Sequence, residues 1–189
     1  MRKVYLLTFI AICMLGNFSY GQLSITSTGV AYTEDFSSLG NSASATLPTG
    51  FKIGTDWASG TTTTTVAYGT TGTGVVTSTS PGGAINWANG ITGTSTERGL
   101  GFLSTGSYSS PRSIILAFTN NTGQTITSLD ISFDYEKYRS GSRAFNWTFF
   151  HGDNSAPSIS ETNGDQAYAA DANNTAVSNP STTINKSFT

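Results

Sequence analysis

The chain has 189 residues and a formal charge of −2; only 11% of its residues are charged, while 37% are hydrophobic and 12% aromatic. The scarcity of charged residues argues against a coiled coil or helical bundle, and the hydrophobic fraction argues against a disordered chain. Without a basic surplus the chain lacks the electrostatic footprint of a nucleic-acid-binding protein. Thr, Ser, Gly and Asn are abundant instead, which indicates an all-β protein with no nucleic-acid partner.

Residues 1–21 have the organisation of a secretory signal peptide. Arg2 and Lys3 provide a positive start, residues 4–15 are largely apolar, and small side chains precede the bond after Gly21. The apolar run is shorter than the roughly 20 residues needed to cross a membrane. We therefore expect cleavage after Gly21, no membrane insertion of the mature chain, and a location in the medium or at the cell surface.

Cleavage would change the composition of what remains, residues 22–189. Loss of Arg2 and Lys3 leaves seven basic residues against 11 acidic ones, a net charge of −4. The single cysteine, Cys13, is lost as well, so the mature chain has no disulfide, thiolate metal site or cysteine nucleophile. We expect one β-sandwich module over 22–189, held together by its core or by a bound ion.

Short runs of alternating apolar and polar residues, separated by Gly, Asn, Pro and Ser, predict an antiparallel β-sandwich or barrel. The predicted strands, in chain order, cover 31–36, 50–57, 62–68, 75–79, 99–103, 113–118, 129–135, 145–149 and 182–188. The turn formers at 120–123 predict a hairpin between the strands on either side. Residues 152–180 are predicted as one long loop with a short strand near 166–170.

Several segments carry motifs of a known family. They are Glu34–Gly40 with residues 47–51, residues 96–101 with 104–107, and residues 118–129 with 131–133 and 136–139. Together they resemble the jelly-roll-like β-sandwich module of secreted Gram-negative bacterial proteins, and the likeness covers about residues 30–189. In such proteins the module stands beside extracellular nuclease, lamin-tail-like or type IX secretion sorting domains. The resemblance implies a jelly-roll fold and a non-catalytic, carbohydrate-binding-like role.

The C-terminal end of the sequence has a strand pattern over 184–189 with no turn or polar tail after it. Members of the resembled family finish the module with an aromatic-Arg-Trp strand and an Asp-Asp-Phe strand, and neither motif follows Thr183. We therefore expect a module that is incomplete at its C-terminus, with a sheet edge left open.

Calcium is the metal that the sequence favours. It binds six to eight oxygen ligands, and it can stabilise an exported sandwich that lacks disulfides. Glu34 and Asp35 are the predicted ligands for such a structural ion.

Binding of a polysaccharide or cell-surface glycan requires an exposed aromatic ring next to hydrogen-bonding side chains. Trp147 alternates with two phenylalanines and is predicted to lie in the core. Trp87 is predicted to be exposed because Asn86 and Asn89 flank it in a Gly-rich stretch, and Trp57 is an intermediate case. The predicted ligand-binding residues are Trp87, Asn86, Asn89 and Trp57.

Catalysis is not indicated by the sequence. His151 is the only histidine, and no serine stands in a recognisable nucleophile motif. Asp130, Asp134 and Glu136 alternate along one predicted strand and are interpreted as a solvated face, since nothing in the sequence places a cleft over them. We therefore predict that this chain is not an enzyme.

The function predicted from these observations is that of an accessory module of an exported or cell-surface protein, binding carbohydrate or mediating adhesion. One alternative is a structural spacer or self-assembling surface subunit, which the Thr/Ser/Gly/Asn-rich composition favours. A second alternative is the N-terminal part of a secreted hydrolase or nuclease whose catalytic domain lies beyond Thr189.

Overall fold

A computed structural model of the chain describes residues 21–40, 44–62, 66–67, 82–88, 96–106, 112–153, 155–172 and 180–189. The predicted signal peptide, apart from Gly21, lies outside these residues, as do Asn89 and the predicted strand 75–79. Within the described ranges no helix is long and apolar enough to span a membrane. Secondary structure there consists of short strands and two single-turn 3-10 helices, so the prediction of an all-β fold is confirmed.

The described strands, in chain order, are β1 Leu23–Ile25, β2 Phe51–Gly54, β3 Val66–Ala67, β4 Gly83–Ala88, β5 Arg98–Leu103, β6 Ser113–Leu116, β7 Phe118–Asn120, β8 Ile131–Lys137, β9 Phe145–Trp147, β10 Phe150–His151, β11 Ile159–Ser160, β12 Gln166–Tyr168 and β13 Thr182–Phe188. The 3-10 helices are Ser37–Leu39 and Thr162–Gly164.

The strands form small sheets with mainly antiparallel pairing. Five of the described pairings are antiparallel: β2 with β6, β4 with β5, β8 with β13, β9 with β12 and β10 with β11. Two are parallel, β1 with β7 and β3 with β4. The largest sheet has the order β3-β4-β5, and the other described sheets are two-stranded.

The segment containing β6 and β7 changes its pairing partner at Ala117. The Ala117 N–H donates to the Gly50 carbonyl at 2.9 Å, and the Ala117 carbonyl accepts from the Leu23 N–H at 2.9 Å. β2 therefore pairs with the segment before Ala117, and β1 pairs with the segment after it. Gly50 has a φ of 90°, which favours glycine, and an added Cβ would lie 3.1 Å from both Leu23 and Leu116.

The long pair β8–β13 shows the predicted alternation of side chains. Ile131, Phe133 and Tyr135 are half-buried, whereas Ser132 and Asp134 between them are exposed. This pattern is expected for a sheet with one face packed and one face in water. The observed β8 begins two residues later than predicted, and β13 has the predicted bounds.

The core is divided between the two faces of β4. Ala84 packs in one cluster with residues from the first half of the chain, and Ile85 and Trp87 pack in the other. Because alternate residues of a strand point to opposite faces, burial of both sets means that β4 is covered on both sides. The first cluster contains Leu39, Ala45, Leu47, Ile53 and Ala84; the second contains Ile85, Trp87, Leu103 and Tyr138.

A connected set of half-buried aromatic rings joins β5, β8, β9 and β13. Trp147 stacks on Phe102 and on Tyr135, each with ring centres 5.5 Å apart. Phe133 stacks on Phe149 at 5.7 Å, and Phe188 meets Phe149 edge-on at 5.0 Å. The prediction that Trp147 lies in the core holds only in part, because the ring packs among these aromatic residues but is half-buried and belongs to neither buried cluster. The members are Phe102, Phe133, Tyr135, Phe145, Trp147, Phe149 and Phe188.

Two predictions about local structure are wrong, and a third is wrong in part. The hairpin across 120–123 does not form, because β6 pairs with β2 and β8 pairs with β13. Residues 31–36 are not a strand, since their carboxylates bind nearby backbone N–H groups instead. Residues 152–180 were predicted as a loop with a short strand near 166–170: β12 is that strand, whereas β11 and the second 3-10 helix were not predicted. β11 pairs with β10, and β12 pairs with β9.

Of the two glycines in β5, Gly101 has less room for an added methyl group. A Cβ there would lie 2.8 Å from Trp87 Nε1, whereas a Cβ at Gly106 would meet nothing within 4 Å. We expect Gly101→Ala to lower the free energy of unfolding by about 1–3 kcal/mol through overpacking. Gly106→Ala is the control and should change it much less. Equal urea-unfolding free energies for the two variants would contradict this packing.

Candidate functional site

Trp57 lies in a tight loop, residues 54–60, which we call the Trp57 loop. Backbone hydrogen bonds close the loop at its neck, from Ile53 N–H to the Thr61 carbonyl at 2.9 Å and from Thr61 N–H to the Ile53 carbonyl at 2.8 Å. A Cβ added at Gly54 would lie 2.8 Å from Gly60 Cα, so the close approach of the two sides requires glycine. The buried Ile53 side chain connects this neck to the core.

Three contacts fix the position of Trp57 at the top of the loop. Its backbone N–H donates to the Ser155 carbonyl at 2.7 Å, which joins the loop to a distant part of the chain. Lys52 Nζ donates to the Trp57 carbonyl at 2.9 Å, and the same ammonium lies 4.5 Å from the centre of the indole ring. The indole is half-buried, so part of it remains accessible.

Asp56 stabilises the turn that presents Trp57. Its carboxylate accepts hydrogen bonds from Ser59 N–H at 2.9 Å and from Ser59 Oγ at 2.7 Å. These bonds lower the pKa of Asp56 below its usual value, so the carboxylate is ionised at neutral pH. The carboxylate therefore acts as a local acceptor for the loop backbone.

Trp87 and Asn86 are placed differently from the prediction. The prediction that Trp87 is exposed is wrong, because its side chain is only 8% exposed and stacks on Tyr138 with ring centres 5.0 Å apart. Asn86 is fully buried, and its Nδ2 donates to the Gly40 carbonyl at 2.7 Å. The described part of this Gly-rich stretch, Gly83–Ala88, forms a strand covered on both faces, not a surface loop. Of the predicted aromatic platforms, Trp57 is the one with an accessible ring.

Glu136 and Tyr138 form a polar pair that the sequence analysis did not identify as a site. Tyr138 Oη donates to Glu136 Oε2 at 2.7 Å. A Cβ added at Gly99 would lie 3.4 Å from the same oxygen, so the glycine leaves room for the carboxylate. Burial raises the pKa of Glu136, with smaller contributions from the charges of Glu97 and Asp134. Burial also raises the pKa of Tyr138, as does its bond to Glu136. Glu136 is thus a partly desolvated carboxylate and not a fully solvated one.

A sequence signal for this pair existed in the spacing. Residues at i and i+2 of an extended segment point to the same side, so Glu136 and Tyr138 were placed to interact. The same argument could not identify Trp87 as their neighbour, because Trp87 is far away in the sequence. The contact between Lys52 and Trp57 was not predicted either. It forms because the Trp57 loop bends and brings the indole next to the Lys52 ammonium.

The predicted calcium ligands lie in a turn before the first 3-10 helix. Glu34 Oε1 accepts from Phe36 N–H at 2.8 Å, and Asp35 Oδ1 accepts from Ser37 N–H at 2.9 Å. Two carboxylates supply at most four of the six to eight oxygens that calcium requires. Among the described residues no group of three or more His, Cys, Asp or Glu side chains is arranged to hold a metal. Backbone carbonyls or water would have to complete such a site.

The acidic side chains of Asp134 in β8 and of Asp130 just before it bond to β13 and to the residue that follows β13. Asn185 Nδ2 donates to Asp134 Oδ1 at 2.8 Å, and Thr189 Oγ1 donates to Asp130. Asp130 and Asp134 are exposed, as the interpretation of a solvated face requires. His151 is also exposed and lies on the short strand β10.

No protein-family model, curated protein or solved structure matches this chain. The family resemblance therefore depends on the motifs in the sequence itself.

Glu136 should make stability depend on pH. A carboxyl group whose pKa is raised in the folded state binds its proton more tightly there, so its contribution to stability is lost as pH rises from about 4.5 through the raised value. Replacing Glu136 with Gln removes this effect, and we expect the variant to lose less stability than the wild type between pH 4.5 and neutrality. Urea unfolding across this range measures the difference.

The control for that comparison is Asp153→Asn, which removes an exposed carboxylate on a loop. It should retain the loss of stability with rising pH that Glu136 causes. A Glu136→Gln profile parallel to the wild type would mean that this carboxyl group is not desolvated in the folded protein.

Proposed function

We propose that this chain is a non-catalytic module of an exported or cell-surface protein, built as a jelly-roll-type sandwich, that binds a polysaccharide or cell-surface glycan through Trp57. The observation that carries the proposal is the accessible indole of Trp57 on a loop fixed at both sides by Lys52 and Ser155. Export is supported by the signal-peptide pattern of residues 1–21.

The rigid loop matters because binding a sugar has an entropic cost. A ring that is already held in its binding orientation loses little conformational freedom when the ligand arrives. An aromatic ring also offers a large apolar surface with only two side-chain torsions to restrict. The Ile53–Thr61 hydrogen bonds and the Lys52 contacts supply this preorganisation.

A binding role is favoured over hydrolysis by the way the carboxylates are used. Asp56 holds the Trp57 loop, Asp165 accepts from Phe149 N–H at 2.8 Å, and Glu136 accepts from Tyr138. Each of these groups has a structural partner on its own or a neighbouring segment. A pair of carboxylates acting on a glycosidic bond would instead face each other across a cleft.

A binding role is also favoured over self-assembly by the composition of β13. Within the described residues β13 pairs on one side only, with β8. Lys186 lies in the middle of this edge strand, and lysine on an edge strand opposes pairing with another chain. The open edge therefore carries a feature that disfavours strand addition.

Replacing Trp57 with Ala tests the proposed function. If the indole is the main contact, a glycan bound by the wild-type chain on an array should bind about 30-fold more weakly to the variant. Tyr32→Ala is the matched control, because Tyr32 is another exposed aromatic residue, 44% accessible, whose hydroxyl donates to Glu34 and not to the Trp57 loop. Wild-type binding to no glycan, or equal loss in both variants, would refute the proposal.

Calcium binding at Glu34 and Asp35 remains a prediction with its own test. Calcium sites in extracellular modules have Kd values of about 10⁻⁴–10⁻³ M, and a ligand present at tenfold its Kd stabilises the folded state by about 1.4 kcal/mol. We expect calcium at about tenfold its Kd to raise the free energy of unfolding by about that amount. Magnesium at the same concentration should raise it much less. Glu34→Gln should abolish the calcium effect. Identical unfolding curves in calcium and magnesium would exclude the site.

A further inference from the structure

Lys52 is a cation held in place without a carboxylate partner in the part of the chain that the structure describes. Its ammonium group contacts the Trp57 carbonyl at 2.9 Å and the face of the Trp57 ring at 4.5 Å. The nearest acidic residue in the sequence, Asp56, directs both carboxylate oxygens to Ser59. The positive charge is therefore fixed beside the aromatic ring, and the Asp56 carboxylate is bonded to Ser59 instead of to the Lys52 ammonium.

We propose that the Lys52–Trp57 pair selects acidic saccharides, with a sugar ring on the accessible part of the indole and a carboxylate of the same or the adjacent sugar unit at the Lys52 ammonium. This inference rests on the proposed function and specifies its ligand class. An ammonium has three N–H donors, and the Trp57 carbonyl uses one of them. The others can donate to a carboxylate, which binds more strongly than a neutral hydroxyl.

The net charge of the whole chain does not favour binding of an acidic glycan, so a positive group at the site is important. The chain has a formal charge of −2, so non-specific attraction to a polyanion is not expected. Binding of an acidic glycan would then require a positive group at the site itself. Lys52 is the cation that the structure places against the Trp57 indole.

The experiment compares two oligosaccharides with the same sugar backbone, one with ionised carboxylates and one with neutral methyl esters. Oligogalacturonate and its fully methyl-esterified form are titrated into the full chain by isothermal calorimetry at low salt. We expect oligogalacturonate to bind at least about tenfold more tightly than the ester, because one charge-assisted hydrogen bond contributes this much. The preference should decrease as salt screens the charges.

Three variants locate the effect. Lys52→Met keeps most of the apolar stem and should reduce oligogalacturonate binding to the level of the ester, while Lys52→Arg should retain the preference. Lys137→Met is the matched control, because Lys137 also lies near an aromatic ring, 5.9 Å from the centre of Tyr168 and not that of Trp57. It should bind oligogalacturonate as the wild type does.

The outcomes separate this inference from the proposed function. Equal binding of acid and ester by the wild-type chain, lost in Trp57→Ala, would refute the acidic preference and leave glycan binding through Trp57 intact. The same holds if neither oligosaccharide binds but a neutral glycan does. A preference that persists in Lys52→Met, or that Lys137→Met removes equally, would also refute the role of Lys52. Binding to no glycan would refute both proposals.

Discussion

The packing of Trp87 against β5 and Tyr138 is the contact on which much of the described structure depends. The indole lies so close to β5 that Gly101 has no room for a side chain, and its face stacks on Tyr138 at 5.0 Å with the rings nearly parallel. One side chain thereby ties the β3-β4-β5 sheet to the residues that directly follow β8. Stacked aromatic pairs of this kind stabilise a fold beyond the apolar area they bury.

This packing also determines the surroundings of Glu136. Tyr138 is held by Trp87, so its hydroxyl is directed back to the Glu136 carboxylate, and Gly99 leaves the space that the carboxylate occupies. The pair is therefore part of the structure that supports β8, although a carboxylate with a raised pKa often marks a functional site. Its contact with Tyr138 gives it a structural explanation that needs no ligand.

In contrast to Trp87, the Trp57 ring is partly accessible at the surface. Trp57 stands between two glycines and next to an aspartate, and each of these residues has a geometric task in the turn. The Trp57 backbone is consequently fixed by hydrogen bonds to Ser155 and Lys52, and part of the indole ring is accessible to solvent. A rigid aromatic group beside an ammonium is chemically suited to a ligand that combines an apolar ring face with negative charge.

The sequence by itself determined the all-β class, the face alternation along β8 and the bounds of β13, because each of these follows from local side-chain periodicity. Only the tertiary structure decided which strands pair, and so the hairpin predicted at 120–123 was wrong. It also decided which of two tryptophans is buried and which is accessible. Trp57 and Trp87 both stand near glycines in the sequence, but Trp87 is buried because distant strands cover both faces of β4, whereas the short bridge between Ile53 and Thr61 turns Trp57 toward the surface. Burial depends on contacts between residues far apart in the chain, which no local pattern encodes.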